Sequence, residues 1–497
     1  MTVRLRVLPE PLLEFGGSES GIDPRAAIRK SGAFMGFDGR IESIQLGLVG
    51  PTEEVAAIKT WFSVMRGLVL GDEANASRFV AFPGTEKAFG CAFEIPDQFV
   101  RTIDAREYAL QQAKSPVERF EGLLDLYAAK IESMFHDVRP KVVLVAFREL
   151  EAELRVTNSR LSAEERSALE YLQREEDKQT ELFAPDPEEL KRIAELKPQA
   201  EELLFRNFYR ALKARMMQRP NAVPLQVIRE HTYREDKASQ SGATRAWNLS
   251  TSLFYKAGYL PWRPKDLPSN YCFVGVSFHH LKRKAGDVMY ASVAQAFSST
   301  VQPFVLRGAT IPKDQVSNKQ PYLKEEQAAD LIERVIEAYA RNSGTVPDRV
   351  VLHKTSRYHE EEAAGFYAGL ERVPAIDLVW LGQTGFRLVK KGAQEVWRGT
   401  WVDVDGRDNY LFTTGYVPWW KEYPGPHIPA PLQFGSDRET DLRGRAEEIL
   451  TLTKMNWNSS DGLARFPVTI SFARRVGMVM TELGDDPSPN PSFRFYM

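Results

Sequence analysis

The sequence predicts an α/β protein assembled in two successive halves. Short apolar runs that read as strands alternate with longer amphipathic stretches that read as helices. The order of those elements changes near residue 265, where strand follows strand before a helix returns. With 497 residues, 43% hydrophobic and 27% charged, the chain has the composition of a globular protein with more than one substantial core.

Residues 1–45 are rich in turns, punctuated by Gly16-Gly17, Gly21 and Asp23-Pro24. Residues 41–49 then read as a strand. Residues 52–66 read as an amphipathic helix with Thr52 at its N-cap and Glu53-Glu54 in its first turn. A second helix is expected over 115–135, and an apolar strand of the buried parallel type over 141–147. This alternation indicates a Rossmann-like first domain. Residues 150–205 interrupt it with repeated Glu, Lys and Arg among periodic leucines, a charged helical insertion. That insertion is either a solvated helical pair or a docking surface.

The first half closes on the stretch that carries chemistry. Tyr209 and Lys213 are four apart among good helix formers, so both emerge on one helix face. Pro220 and Pro224 end that helix, and residues 225–228 form a short apolar strand. Residues 247–255 form a further helix, closed by Lys256, Gly258 and Pro261. A phenol, the Gln226 amide and two ammonium groups can therefore converge. Such a set suits a terminal phosphate, with lysines supplying charge, Gln226 and Tyr209 supplying directed donors, and the tyrosine ring offering a face to a base.

From Tyr271 the order is strand, strand, strand, helix, strand, helix, strand. The strands fall at about 271–280, 287–298, 301–307, 349–353 and 376–382, and the helices at 324–342 and 360–371. The prolines between Pro424 and Pro431 mark a surface loop.

Tyr-x-x-x-Lys, then Gln, then Lys-x-Gly before Pro-Trp resembles the guide pocket in the MID domain of Argonaute proteins. The opening segment LEFGGSESGIDPRAAIRKSGAF resembles the start of short prokaryotic Argonautes. VVLHKTS, DLVWL and LTKMNWNSSDGLARFPVTISFARRVG resemble segments of their PIWI domain, which has a ribonuclease-H-like fold. The resemblance implies a MID domain over 1–265, with its insertion at about 150–205, followed by a PIWI domain over 266–497. It leaves no place for PAZ and N domains. It assigns Tyr209, Lys213, Gln226 and Lys256 to a guide 5′-phosphate. One departure is Ser252, where many members carry another lysine. The resemblance also brings the final residue, Met497, to the pocket, where its carboxylate holds a Mg²⁺ ion on the phosphate. Independently, Phe493, Phe495, Tyr496 and Met497 make an aromatic tail that needs burial.

A cutting PIWI domain needs carboxylates to hold two metal ions at the scissile phosphate. At the matching positions this chain has Ser277, Thr355 and Ser471, whose hydroxyls cannot replace anionic ligands. The expectation is a catalytically inactive PIWI domain, with Lys282, Arg283 and Lys284 as backbone contacts to nucleic acid. The resemblance further implies a guide RNA, a single-stranded DNA target, and a partner protein with an APAZ domain. That partner is fused to a TIR or sirtuin-type NAD hydrolase or a nuclease, forms a heterodimer or larger assembly, and is switched on in defence against plasmids or phage by NAD depletion.

Two rival readings stay open. One is an active nuclease using Asp287, Asp377 or Glu326, and the other is a small-molecule nucleotide-binding α/β enzyme. His279-His280 is a weak metal pair, because neighbours on a strand point to opposite faces. The net charge of −2 is not that of a typical nucleic-acid binder, although a local basic channel does not need a basic protein. Cys91 and Cys272 lack metal-ligand spacing, and the apolar runs are too short to span a bilayer, so a reducing cytoplasm is expected.

Overall fold

The computed structural model describes residues 2–34, 41–114, 116–135, 138–147, 207–234, 241–282, 288–298, 303–312, 315–317, 320–389, 391–392, 394–483 and 490–497. The expected helical insertion at 150–205 lies outside the described residues.

The first strand, β1 (Val3–Val7), pairs antiparallel with Thr400–Val404, far along the chain. The expected division at residue 265 therefore separates two sheets but not two stretches of chain, since β1 belongs to the second sheet. Helix α1 (Pro24–Ser31) starts with Pro24 behind the Asp23 cap, whose carboxylate accepts from the Ala26 amide at 3.1 Å.

The first sheet is parallel. Its centre is β2 (Ser43–Pro51), and helix α2 (Thr52–Met65) follows without a loop. Glu53 and Glu54 lie in the first turn as expected. Thr52 is not the N-cap: β2 runs up to Pro51, which takes the capping position and has no side-chain oxygen to offer. β3 (Ala92–Glu94) and β4 (Val100–Ile103) share one edge of β2. Helix α3 (Pro116–Glu132) leads into β5 (Val142–Ala146), which pairs parallel with β2 on its other side, and every residue of β5 is buried. Helix α4 (Phe208–Met217) precedes β6 (Leu225–Ile228), parallel to β5, and α5 (Gly242–Lys256) packs behind it. Helices cover the faces of a parallel sheet whose strands are continuous apolar runs, as a Rossmann-like fold requires.

The second sheet has nine strands. Its heart is β7 (Tyr271–Lys282), β8 (Val288–Phe297) and β9 (Phe304–Ile311) in antiparallel succession, then helix α6 (Glu325–Ser343). β10 (Arg349–Lys354) follows, then helix α7 (Glu360–Gly369) and β11 (Ala375–Gln383). β10 returns parallel to β7, and β11 lies parallel beyond it, giving the spatial order β9-β8-β7-β10-β11. That is the ribonuclease-H-like order the sequence predicts. β12 (Thr400–Val404), β13 (Asp408–Leu411) and β14 (Leu432–Ser436) extend the sheet from β11 to β1.

Helix α8 (Leu442–Leu452) and helix α9 (Val468–Met480) close the chain on the sheet. α9 packs so tightly on β7 that a Cβ at Gly275 would stand 2.1 Å from the Thr469 carbonyl oxygen, so glycine is required there. The aromatic tail is buried as predicted, with Phe493 stacked on Phe472 at 3.7 Å.

Candidate functional site

The helical register of α4 puts Tyr209 and Lys213 one turn apart, with the Lys213 ammonium 4.1 Å from the tyrosine ring centroid. Beside them, β6 presents Gln226 and the last turn of α5 presents Lys256. Lys256 Nζ donates to Gln226 Oε1 at 2.6 Å and to the Leu225 carbonyl at 2.9 Å. Ser252, one turn back on α5, donates to the same Gln226 oxygen at 3.1 Å. The structure thus unites Lys256, Gln226 and Ser252, and Lys213 with Tyr209. Both ends of the Gln226 amide have partners within the protein. Its Nε2 donates to the Val227 carbonyl at 2.8 Å, while its Oε1 orients the Lys256 ammonium.

The end of the chain completes the group. The main-chain oxygen of Met497 accepts from Lys213 Nζ and, at 3.3 Å, from the Tyr209 hydroxyl. Met497 itself is buried, held by Phe493, Phe495 and Tyr496 in the core. This oxygen could serve a Mg²⁺ ion only as one ligand among phosphate oxygens and waters, a coordination Mg²⁺ tolerates.

The electrostatics mark this cluster off from the remaining core. Lys213 is 3% exposed and Lys256 0%. Burial, then the neighbouring Lys256, Arg475 and Arg210, push the Lys213 ammonium well below its ordinary pKa. Burial, then Arg475, lower Lys256 to about 7. Burial raises the Tyr209 phenol, against the pull of Arg475 and Arg229. Every side-chain charge that acts on Lys213 and Lys256 here is positive. Two buried ammonium groups and a guanidinium crowd together, with the terminal Met497 oxygen on Lys213 as a partial offset, and a bound anion would relieve the remaining cost.

Arg475 was not among the residues singled out from sequence. It sits on α9, one turn after Ser471, and supplies the positive charge that Ser252 does not. The signal was present in the Arg474-Arg475 pair, but only the fold shows which of the two faces inward: Arg474 is exposed and Arg475 half-buried.

The three hydroxyl positions fall on one side of the second sheet. Gly275 and Ser277 share a face of β7, against α9. Val276 pairs with Lys354, which places Ser277 beside the end of β10 where Thr355 follows. The Ser277 hydroxyl is buried with no hydrogen-bond partner among the described residues, and the Ser471 hydroxyl donates to the Phe466 carbonyl at 3.2 Å. His353, on the same face, pairs with the Thr469 hydroxyl at 2.8 Å. Burial, then Arg349, lowers it to about 3 and keeps it neutral. Lys354 points to the opposite face, where it pairs with buried Glu362.

Of the displaced carboxylates, Asp377 is bound by Arg349 and Arg445, with Thr440 on its other oxygen. Glu326 is exposed in the first turn of α6. Asp287 lies outside the described residues, as do Arg283, Lys284 and the side chains of Lys282, His279 and His280. Among the described residues no group of three His, Cys, Asp or Glu is placed to hold a metal, and no helix is long and apolar enough to cross a membrane.

A cavity of about 1050 Å³ opens at the other end of α5, where Ser241, Thr244 and Asn248 line it. Arg25, Arg78, Arg387 and Arg465 line it together with Asp72, Asp461, Trp420 and His427, the last from the proline loop. The cavity joins both sheets' loops.

No family profile matches the chain. The protein argonaute of Thermus thermophilus is 27% identical over 177 residues, which is 35% of this chain and 24% of that protein. Among solved structures, Clostridium butyricum Argonaute bound to a guide DNA and a 19-mer target DNA superposes with a TM-score of 0.62 at 15% identity. The match covers 99% of this chain and 55% of that one. Drosophila Piwi gives a TM-score of 0.60 at 14% identity, over 99% of this chain and 56% of that one. The chain spans about half the length of these structural relatives. The fold is the mixed α/β MID–PIWI fold of Argonaute proteins. The chain is thus similar to Argonaute proteins both in sequence and in structure.

One pH dependence follows from the pocket. An ammonium depressed to about 7 is charged below that pH and increasingly neutral above it. Affinity for a 5′-phosphorylated strand should therefore fall as pH rises from about 6 to about 9. Stability of the unliganded protein should move the other way. Between about 7 and the unfolded lysine value of about 10.4, the unfolded chain binds more protons than the folded one, so folding is favoured as pH rises. Titrations of affinity and of denaturation midpoint check the pair; parallel slopes would show that another group titrates.

Proposed function

We propose that this chain is a short Argonaute that holds the 5′-phosphate of a guide strand and recognises a complementary target without cutting it. The observation that carries the reading is the convergence of buried Lys213 and Lys256 with Arg475 on a MID–PIWI fold. A dianionic phosphate neutralises that cluster, and Tyr209 flanks it with a ring on which a base can stack. The guide is RNA and the target single-stranded DNA, as the resemblance implies. Met497 would offer its main-chain oxygen to a Mg²⁺ ion, which would offset the negative charge of the phosphate. A helix of 15 residues separates this pocket from the arginine-lined cavity, a distance of about 22 Å. A strand anchored at Lys256 reaches the cavity after a few nucleotides, where guanidinium groups meet its backbone.

Ser277, Thr355 and Ser471 stand where anionic metal ligands would be needed, so target recognition is the output. Recognition activates an APAZ-domain effector, of TIR or sirtuin type with NAD as its substrate, in a heterodimer that defends the cell against plasmids or phage.

Two measurements test this. Sequencing the nucleic acid that co-purifies with the chain should give short strands with a uniform 5′-phosphate; a bound mononucleotide instead would favour the small-molecule reading. The guide-loaded chain should leave a matched target intact in Mg²⁺ or Mn²⁺. A product cut at a fixed distance from the guide end, and lost on chelation, would overturn the inactive assignment.

A further inference from the structure

We infer that the outer edge of β1 is a docking site for an extended segment of a partner protein, apolar on one face and acidic on the other. β1 ends the nine-stranded sheet, and among the described residues only Thr400–Val404 pairs with it. The Leu8 amide donates to the Gly399 carbonyl at 2.9 Å, and the Asp405 amide to the Thr2 carbonyl at 2.8 Å. Antiparallel bonding alternates along a strand, so Val3, Leu5 and Val7 turn their amide and carbonyl groups outward. These are the donors and acceptors that an added strand uses.

The side chains of the same three residues are about half exposed, Val3 at 54%, Leu5 at 51% and Val7 at 51%. They share the face of Val402, which is 1% exposed in a small core with Val396 and Phe412. The apolar face of the sheet thus runs out of that core onto an uncovered strand. On the reverse face stand Arg4 and Arg6, both exposed. Sheet edges are normally blunted, and this chain does so at its other edge: the Val305 amide donates to the Pro491 carbonyl at 2.8 Å, and the Phe493 amide to the Pro303 carbonyl at 3.3 Å. The tail thereby covers β9. Nothing comparable lies along β1 among the described residues. A strand laid there would continue the small core with its apolar residues and set its carboxylates against Arg4 and Arg6.

The peptide titration itself uses no nucleic acid, so its failure is distinguishable from failure of the guide reading. A short fluorescein-labelled peptide of alternating valine and glutamate, and its valine–lysine counterpart, are titrated against the full chain. The glutamate peptide should bind, and Leu5→Pro, which removes an outward amide, should weaken binding at least roughly tenfold without changing guide affinity. The Arg4→Glu/Arg6→Glu double variant keeps the strand and should reverse the preference toward the lysine peptide by at least roughly tenfold. Failure of the glutamate peptide to bind, or equal binding of both peptides, would overturn the proposal. So would a dimer of the full chain that Leu5→Pro converts to monomer, which would assign the edge to a second copy.

Discussion

Replacing Lys213 and Lys256 together with alanine should lower affinity for a 5′-phosphorylated guide by roughly two to four orders of magnitude, leaving a 5′-hydroxyl guide far less affected. Each charge-assisted contact to phosphate is worth about 1.5–3 kcal/mol, and about 1.4 kcal/mol is tenfold in affinity. The buried setting favours the upper part of that range, since no water competes for the ammonium groups. Arg475 limits the loss, because it remains as a third positive group beside the pocket. The Lys213→Met/Lys256→Met pair removes charge while keeping volume, and should show the same discrimination. Equal losses for both guides, read by filter binding at one salt concentration, would place the lysines outside the phosphate site.

Glu10→Ala should destabilise the fold by about 3–5 kcal/mol, the cost of stripping the counter-charge from a buried ion network. Glu10 lies in the loop after β1 and takes Arg398 Nε at 3.1 Å and Lys454 Nζ at 2.5 Å. Both cationic side chains have 0% exposure. Lys454 also donates to the Ile22 carbonyl at 2.7 Å, and Arg398 to the Thr453 hydroxyl at 2.8 Å, so one carboxylate ties the first residues to the loops of the second sheet. Burial alone would raise the Glu10 pKa, but Arg398 and Lys454 overcome it and hold the carboxyl below its ordinary value. A depressed carboxylate contributes stability above its unfolded pKa of about 4.3, and that contribution is lost as pH falls through the folded value. Chemical denaturation of wild type and variant should therefore converge at acid pH. A loss below about 1 kcal/mol at neutral pH would show that water reaches the network.

The parts of the molecule that were legible in the sequence are those fixed by local pattern. The continuous apolar run at Val142–Ala146 announces a strand buried on both faces, and the succession of strands after Tyr271 announces the second sheet. Tyr209 and Lys213 were legible because helical spacing alone sets them together, and Lys256 because Gly258 ends its helix. Three things were not. Arg475 acts on the pocket from α9, a helix packed on the second sheet, and no periodicity links it to α4. The exposed, mixed pattern of Val3–Val7 does not announce that its partner strand is Thr400–Val404. Gln226 was recognised, but which way its amide points depends on the Ser252 hydroxyl and Lys256 ammonium across the gap.

The clustered positive charge around Lys213 also bears on how long an empty copy of this protein survives. Whatever neutralises the cluster binds only the folded chain and adds its binding free energy to folding. A loaded molecule is therefore harder to open than an unloaded one, and transient opening is what exposes a chain to cellular proteases. Under the guide reading proposed above, a copy without a phosphorylated strand is expected to open more often than a loaded one, so occupancy of the pocket sets the lifetime of each copy.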